Sequence, residues 1–327
     1  MRAFLLLLLG WLPACLAPGE PGNLVPKTVT EDPSLPAIEL GGARFHAETR
    51  GPPGGPMIVV LHGGPGGDHR ALLPLAALAD DGYFVVFWDQ RGSGLSQRFD
   101  ARDITLDRYL EDLRDLIEHV TSTPAQPVVL VGHSWGAMYA TWFIDTYGDH
   151  GGRVRGAVLS EPGAFTTAQL DAFLARQGSS IEILGEELGD IAWQEPFLTP
   201  YDHEVADYVD SLKAFIGQPA DVRDPTNPPP FWRSGAIVRA RMLDLAEREG
   251  FDWTRNLGAF QHPVLFLRGE LNRAATLEHQ QELAASYPRA EIVTMAGVGH
   301  AMHWERPEEY VAHIRAYLTT LDLEATP

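Results

Sequence analysis

The run Val128-Val129-Leu130-Val131-Gly132-His133-Ser134-Trp135-Gly136-Ala137 constrains this chain more than any other segment. Four β-branched or aliphatic residues read as a buried strand, Gly-x-Ser-x-Gly breaks it, and the residues after it read as a helix. A serine on so sharp a strand-to-helix turn stands clear of the sheet at a helix N-terminus, where developing negative charge is favoured. A hydroxyl is a poor nucleophile in water, so acyl-transfer chemistry needs this placement together with a neighbouring base. Ser134 is therefore the candidate nucleophile, and Gly132 and Gly136 supply the room for the turn.

The surrounding pattern fits a parallel sheet wrapped by helices. Short apolar runs at Met57–Leu61, Tyr83–Trp88, Val128–Val131, Val154–Ser160, Val264–Leu267 and Glu291–Met295 read as strands. Between them, helices are expected at Arg70–Ala79, Leu106–Thr121, Trp135–Tyr147, Leu277–Tyr287 and Pro307–Leu321. Leu106, Tyr109, Leu110, Leu113, Leu116, Ile117 and Val120 recur at helical spacing, as a buried stripe requires. Ahead of these, Ala37 to Arg50 reads as an antiparallel strand pair closed by Gly51-Pro52-Pro53-Gly54-Gly55-Pro56. Strands alternating with helices define an α/β class. From Pro162 to Gly258 the alternation stops and acid-rich helical sequence takes over, which reads as a helical cap inserted after strand 6.

The chain has 327 residues, 45% of them hydrophobic, enough for a large core. With 44 acidic against 25 basic residues its net charge is −19, which argues against nucleic acid as a partner. Met1-Arg2-Ala3-Phe4 followed by five leucines resembles a secretory signal peptide, too short to span a bilayer comfortably. Cys15, the single cysteine, follows Leu12-Pro13-Ala14 as a lipid-modified cysteine follows a lipobox; cleavage after Ala17 of an ordinary signal peptide is the alternative. The expected organisation is a signal peptide (1–14), an extended tether (15–36), core (37–161), cap (162–258) and core again (259–327). Export to the periplasm or cell envelope follows, with a membrane reached only through an N-terminal lipid. Oligomeric state is left open. No metal-ligand spacing and no dinucleotide-binding glycine motif is present, so no cofactor or metal is expected.

Reactive residues fall at the C-terminal ends of the expected strands, where open α/β sheets bind ligands. His62-Gly63-Gly64-Pro65-Gly66-Gly67 follows the first, and the N–H groups of Gly64 and Trp135 are the candidate oxyanion donors. His300 closes the last strand in Gly297-Val298-Gly299-His300 and is the candidate general base. His62, His133 and His303 are assigned to orienting loops.

His62-Gly63-Gly64-Pro65-Gly66, Trp88-Asp89-Gln90-Arg91-Gly92-Ser93-Gly94-Leu95-Ser96 and Gly132-His133-Ser134-Trp135-Gly136 resemble the α/β-hydrolase superfamily and, within it, the proline iminopeptidase group. The resemblance covers the core, from Ala37 to Glu161 and from Pro263 to Leu321. It implies the α/β-hydrolase fold and a triad in the order serine, acid, histidine. It also implies that Asp89 is scaffold and that cap glutamates hold a substrate's free amine. Glu182, Glu186, Glu187, Glu195 and Glu204 are available for that, with Glu195 and Glu204 the named candidates.

The chain departs from the family at the acid. Where an aspartate is expected after the penultimate strand, Gly269-Glu270-Leu271-Asn272 places an amide, which cannot supply charge to an imidazolium. Three readings remain: Glu161 at the end of the strand Val154–Ser160, the alternative acid position of some α/β-hydrolases; Glu270 from the usual loop; or no acid. A carboxylate at a strand end fits triad geometry best, so Glu161 is preferred. On that reading Glu161→Gln cripples hydrolysis and Asn272→Ala changes little. The implied substrate is a small molecule or peptide, cleaved by a serine aminopeptidase. A carboxylesterase and a non-catalytic binding protein on the same scaffold are the alternatives. Haloalkane dehalogenase and epoxide hydrolase chemistries are disfavoured, since both use an aspartate where this chain has Ser134.

Overall fold

The computed structural model describes residues 24–177, 203–216 and 227–324. Its centre is an eight-stranded sheet in the order β1-β2-β4-β3-β5-β6-β7-β8. β1 (Ala37–Leu40) and β2 (Ala43–Arg50) form the antiparallel pair, and β2 runs antiparallel to β4 (Phe84–Trp88). β3 (Met57–Leu61), β4, β5 (Val128–His133), β6 (Val154–Ser160), β7 (Val264–Gly269) and β8 (Ala290–Met295) pair in parallel. The order reverses around β3, so the C-terminal ends of β3 and β5 open onto one crevice, the ligand position of such sheets.

The continuous apolar runs are explained by cover on both faces. Side chains alternate across a strand, so Met57, Val59, Phe84, Val86, Val128 and Leu130 share one face. They pack against α1 (Leu106–Val120) and α2 (Trp135–Tyr147). Ile58, Val60, Val85, Phe87, Val129 and Val131 share the other, under Leu72, Leu75, Tyr310 and Ile314. Tyr310 and Ile314 belong to α8 (Pro307–Leu318); α6 (Leu277–Ala284) and the one-turn α7 (Met302–Glu305) complete the core helices.

Three core helices differ from expectation. Arg70–Asp81 is a 3-10 helix and not an α-helix; Pro74 inside it has no N–H to donate and its ring opposes α-helical geometry. α6 and α8 each stop three residues early, because a turn closes α6 at Ala285 and Thr319 caps α8.

Among the described residues, the cap contributes α3 (Thr167–Gln177), α4 (His203–Ile216) and α5 (Ala236–Glu249) between β6 and β7. It is sewn to the core by buried charge. Arg98 Nε, from the loop after β4, donates to Asp207 Oδ2 of α4 at 2.8 Å. Arg233 Nε, ahead of α5, donates to the same oxygen at 2.7 Å, and Oδ1 accepts from Ala236 N–H.

The expected tether is a second departure. From residue 24 onward it lies on the core: Val29 is fully buried and its N–H donates to Leu95 O at 2.8 Å, while Pro26 O accepts from Arg233 Nη1. An apolar side chain with a satisfied backbone is more stable docked than extended in water. No helix among the described residues is long and apolar enough to cross a membrane, and Cys15 lies outside them.

Arg233 thus joins cap, core and N-terminal segment while 2% exposed. Arg233→Met leaves Asp207 half-compensated and is expected to cost about 3 kcal/mol in denaturant unfolding.

Candidate active site

Ser134 sits at φ 55°, ψ −120°, a strained backbone for a residue with a Cβ. Two close approaches hold it there. A Cβ on Gly136 would lie 1.9 Å from Leu61 O, and one on Gly132 would lie 2.3 Å from Gly136 O. Only glycine lets the first turn of α2 press onto β3 and β5. Ser134 N–H donates to Ser160 O at 2.8 Å, and Glu161 N–H donates to Leu267 O at 3.0 Å. The ends of β5, β6 and β7 are thereby fastened in sequence.

Glu161, the residue after β6, is also left-handed, at φ 49°. The residue is 1% exposed, and its carboxylate accepts at both oxygens. Gly269 N–H donates to Oε1 at 2.7 Å, while His300 Nδ1 and Asn272 Nδ2 each donate to Oε2 at 2.6 Å. A buried carboxylate is stable as an ion only when donors of this kind surround it. The Nδ1–H that this contact requires leaves His300 Nε2 as the basic nitrogen of the neutral ring.

Glu270, two residues before Asn272, is exposed and turned away. Its Oε2 accepts from Gly297 N–H at 2.8 Å, bracing the loop that carries His300. Asn272, which carries no charge, is nevertheless engaged at both ends of its amide. Its Oδ1 accepts from the N–H groups of Ala274 and Ala275, both at 3.0 Å, and its amide nitrogen meets Glu161. Sequence reasoning asked the position for charge and so overlooked a donor of the same size.

On the other flank, His62 Nδ1 donates to Gly63 O at 2.8 Å and its Nε2 accepts from Gln90 N–H at 2.9 Å. Burial pushes the ring down to about 4, so it stays neutral in this tautomer. Gln90 Nε2 donates to His62 O, and Gln90 Oε1 accepts from the Trp135 indole. One side chain therefore ties the glycine loop to the elbow, a role that Gln90's place beside Asp89 in the motif did not reveal. Gly63 passes against Ser134: a Cβ there would come within 3.3 Å of the serine Cβ. Gly64 follows at φ 132°, and Trp135 is the first residue of α2, a position whose N–H has no acceptor within the helix.

Beneath His300 lie two further imidazoles. His133 Nε2 donates to His300 O at 2.9 Å, and the His133 ring stands 4.5 Å from that of His300 and 4.2 Å from that of His303. Burial, then the neighbouring imidazoles, hold His133 well below the usual histidine range; burial drives His303 to about 3.

His46, His69 and Asp89 form a separate buried cluster with metal-like spacing. Asp89 Oδ2 accepts from His46 Nδ1 and Leu95 N–H, each at 2.8 Å. Its Oδ1 accepts from His69 N–H at 3.0 Å and His69 Nδ1 at 2.8 Å. With the carboxylate's lone pairs filled, the cluster is a junction for the loops after β3 and β4. Burial raises the Asp89 carboxyl, but His69 and His46 outweigh it and hold it well below the usual range.

Of the cap candidates, Glu204 is exposed on the first turn of α4. Glu182, Glu186, Glu187 and Glu195 lie outside the described residues.

A mostly parallel sheet, a strained serine at a strand-helix turn and a histidine-carboxylate pair at neighbouring strand ends define the α/β-hydrolase class. Residues 58–313 match the alpha/beta hydrolase family, and the chain belongs to it. It is 26% identical to a proline iminopeptidase of Saccharolobus solfataricus over 80% of this chain and 84% of that protein. It is 28% identical to epoxide hydrolase A of Mycobacterium tuberculosis over 89% of this chain and 99% of the relative. The fold matches the proline iminopeptidase-related protein of Thermus thermophilus with a TM-score of 0.62 at 24% identity, covering 90% of this chain and 99% of the other.

The buried imidazoles give a pH prediction. His303 stays neutral in the folded chain down to about 3, whereas an unfolded histidine takes a proton near 6.5. Between those values the unfolded state binds the extra proton, so this contribution to stability is lost as pH falls. Replacing His303 by phenylalanine removes it: from neutral pH to about pH 4.5, unfolding free energy should shift in the variant's favour by on the order of 3 kcal/mol relative to wild type.

Proposed function

We propose that this chain is a serine hydrolase that releases an N-terminal residue from small peptides through an acyl-enzyme. The observation that carries the reading is the 2.6 Å contact between His300 Nδ1 and Glu161 Oε2, at a strand end neighbouring that of Ser134. Ser134 Oγ attacks the substrate carbonyl while His300 Nε2 takes its proton. The oxyanion is met by the N–H groups of Gly64 and Trp135, which need no reorganisation because His62, Gln90 and the helix start already hold them. His300 then returns the proton to the leaving amine, and water, activated in turn by His300, hydrolyses the ester. Glu161 orients the imidazole and stabilises its cation.

The aminopeptidase assignment is supported by the proline iminopeptidase relative and by the motif around Asp89. One observation favours a second reading, a carboxylesterase or other small ester or amide hydrolase. Three of the described acids of the cap are turned to arginines: Asp207 to Arg98 and Arg233, Asp210 to Arg239, Asp244 to Arg241 and Arg248. A substrate without a free amine makes no demand on them. Export with a lipid on Cys15 belongs to the same proposal, supported by Leu12-Pro13-Ala14-Cys15; labelled palmitate should enter the wild type and not Cys15→Ser.

The decisive experiment is hydrolysis of aminoacyl anilides, proline anilide first, against short nitrophenyl esters. Ser134→Ala and His300→Ala should abolish turnover, and Glu161→Gln should lower kcat by about 10² to 10⁴. Faster turnover of esters than of anilides selects the second reading. Failure of a fluorophosphonate to label Ser134 rejects both and leaves a binding protein on a hydrolase scaffold.

A further inference from the structure

The carboxylate of Glu161 and the amide of Asn272 both meet at His300 Nδ1. Three details fix what the amide does. Its orientation is set by its own oxygen, which accepts from Ala274 and Ala275 N–H and leaves Nδ2 pointing at Glu161. Nδ2 and His300 Nδ1 are 3.4 Å apart, and both address the same oxygen, Oε2. Asn272 itself is 7% exposed, so water does not readily replace it.

We propose that Asn272 is a positioning residue whose amide holds Glu161 Oε2 against His300 Nδ1 and keeps this buried group at a single negative charge, thereby tuning how readily His300 takes up a proton. The proposal rests on the reading of Glu161 and His300 as acid and base. Donation from Nδ2 draws part of the charge of Oε2 away from the imidazole and blocks the carboxylate from rotating off it. A second carboxylate in its place would add a charge to the same contact, favouring imidazolium at pH values where a base must be neutral.

Asn272→Asp exchanges the donor for a second charge at the same place, while its Oδ1 still accepts from Ala274 and Ala275 N–H and so keeps the turn. The readout is the titration of His300 in the full chain, followed by ¹⁵N NMR of histidine-labelled protein and assigned with His300→Gln. The midpoint should rise by about one pH unit or more in Asn272→Asp. If circular dichroism shows that variant unfolded, Asn272→Ala is titrated instead, with a smaller rise expected. An unchanged or lowered midpoint overturns the role of Asn272. Turnover is not needed for this readout, so the two ideas fail separately. A chain that hydrolyses nothing yet shows the rise rejects only the catalytic reading, and one that hydrolyses substrate with an unshifted His300 rejects only the role of Asn272.

Discussion

The architecture of the site depends on a carboxylate that is almost wholly removed from water. Glu161 is tolerable at 1% exposure because two strand ends send it three donors: Gly269 N–H and Asn272 Nδ2 from the end of β7 and the loop after it, and His300 Nδ1 from the loop after β8. Each donor lies more than a hundred residues further along the chain, so the ion is stable only once β6, β7 and β8 are assembled. Charge and topology therefore reinforce each other. The loops cannot drift without leaving an uncompensated buried ion, and the ion cannot form its contacts until the sheet is in register.

The same logic recurs at the seam between core and cap, with the sign of the hub kept and the donors changed. Asp207 on α4 gathers Arg98 from the core and Arg233 from the cap, and Arg233 reaches on to Pro26 O in the docked N-terminal segment. Asp68, at the end of the glycine loop, accepts from Arg70 N–H and from the backbone of Trp232 and Arg233. The cap is thus bound next to the loop that carries the candidate oxyanion donor. A shift of the cap would be felt at Gly64 through Asp68, four residues away.

The core was legible because its code is local. Continuous β-branched runs mark strands buried on both faces, and the glycines at 132 and 136 mark a close approach that no other residue permits. Glu161 was legible as a carboxylate at a strand end. What escaped were properties that no short window contains. Pro74 was visible, yet its conversion of a helix to 3-10 geometry depends on the packing of Leu72, Leu75 and Leu78 against the sheet. The segment around Val29 has tether-like composition, and its docking is decided by partners at Leu95 and Arg233, far along the chain. Asn272 was read for the charge it lacks, because its hydrogen-bond geometry exists only in three dimensions.

The imidazoles show how the chain sets His300 apart from its neighbours by environment alone. His62, His133 and His303 lie in or beside the same crevice as His300, yet burial drives their proton affinity down, and each of the first two spends a ring nitrogen on a backbone carbonyl. They are rigid, neutral spacers. His300 differs in facing a carboxylate and in being less enclosed, with 29% of its side chain exposed. A carboxylate on one side and access to solvent on the other are what the proposed role of His300 requires, and the rings behind it have neither. The sequence Gly-His-Ser therefore places an anchor beside the strained turn: His133 holds the backbone of His300, and Ser134 follows it at the start of α2.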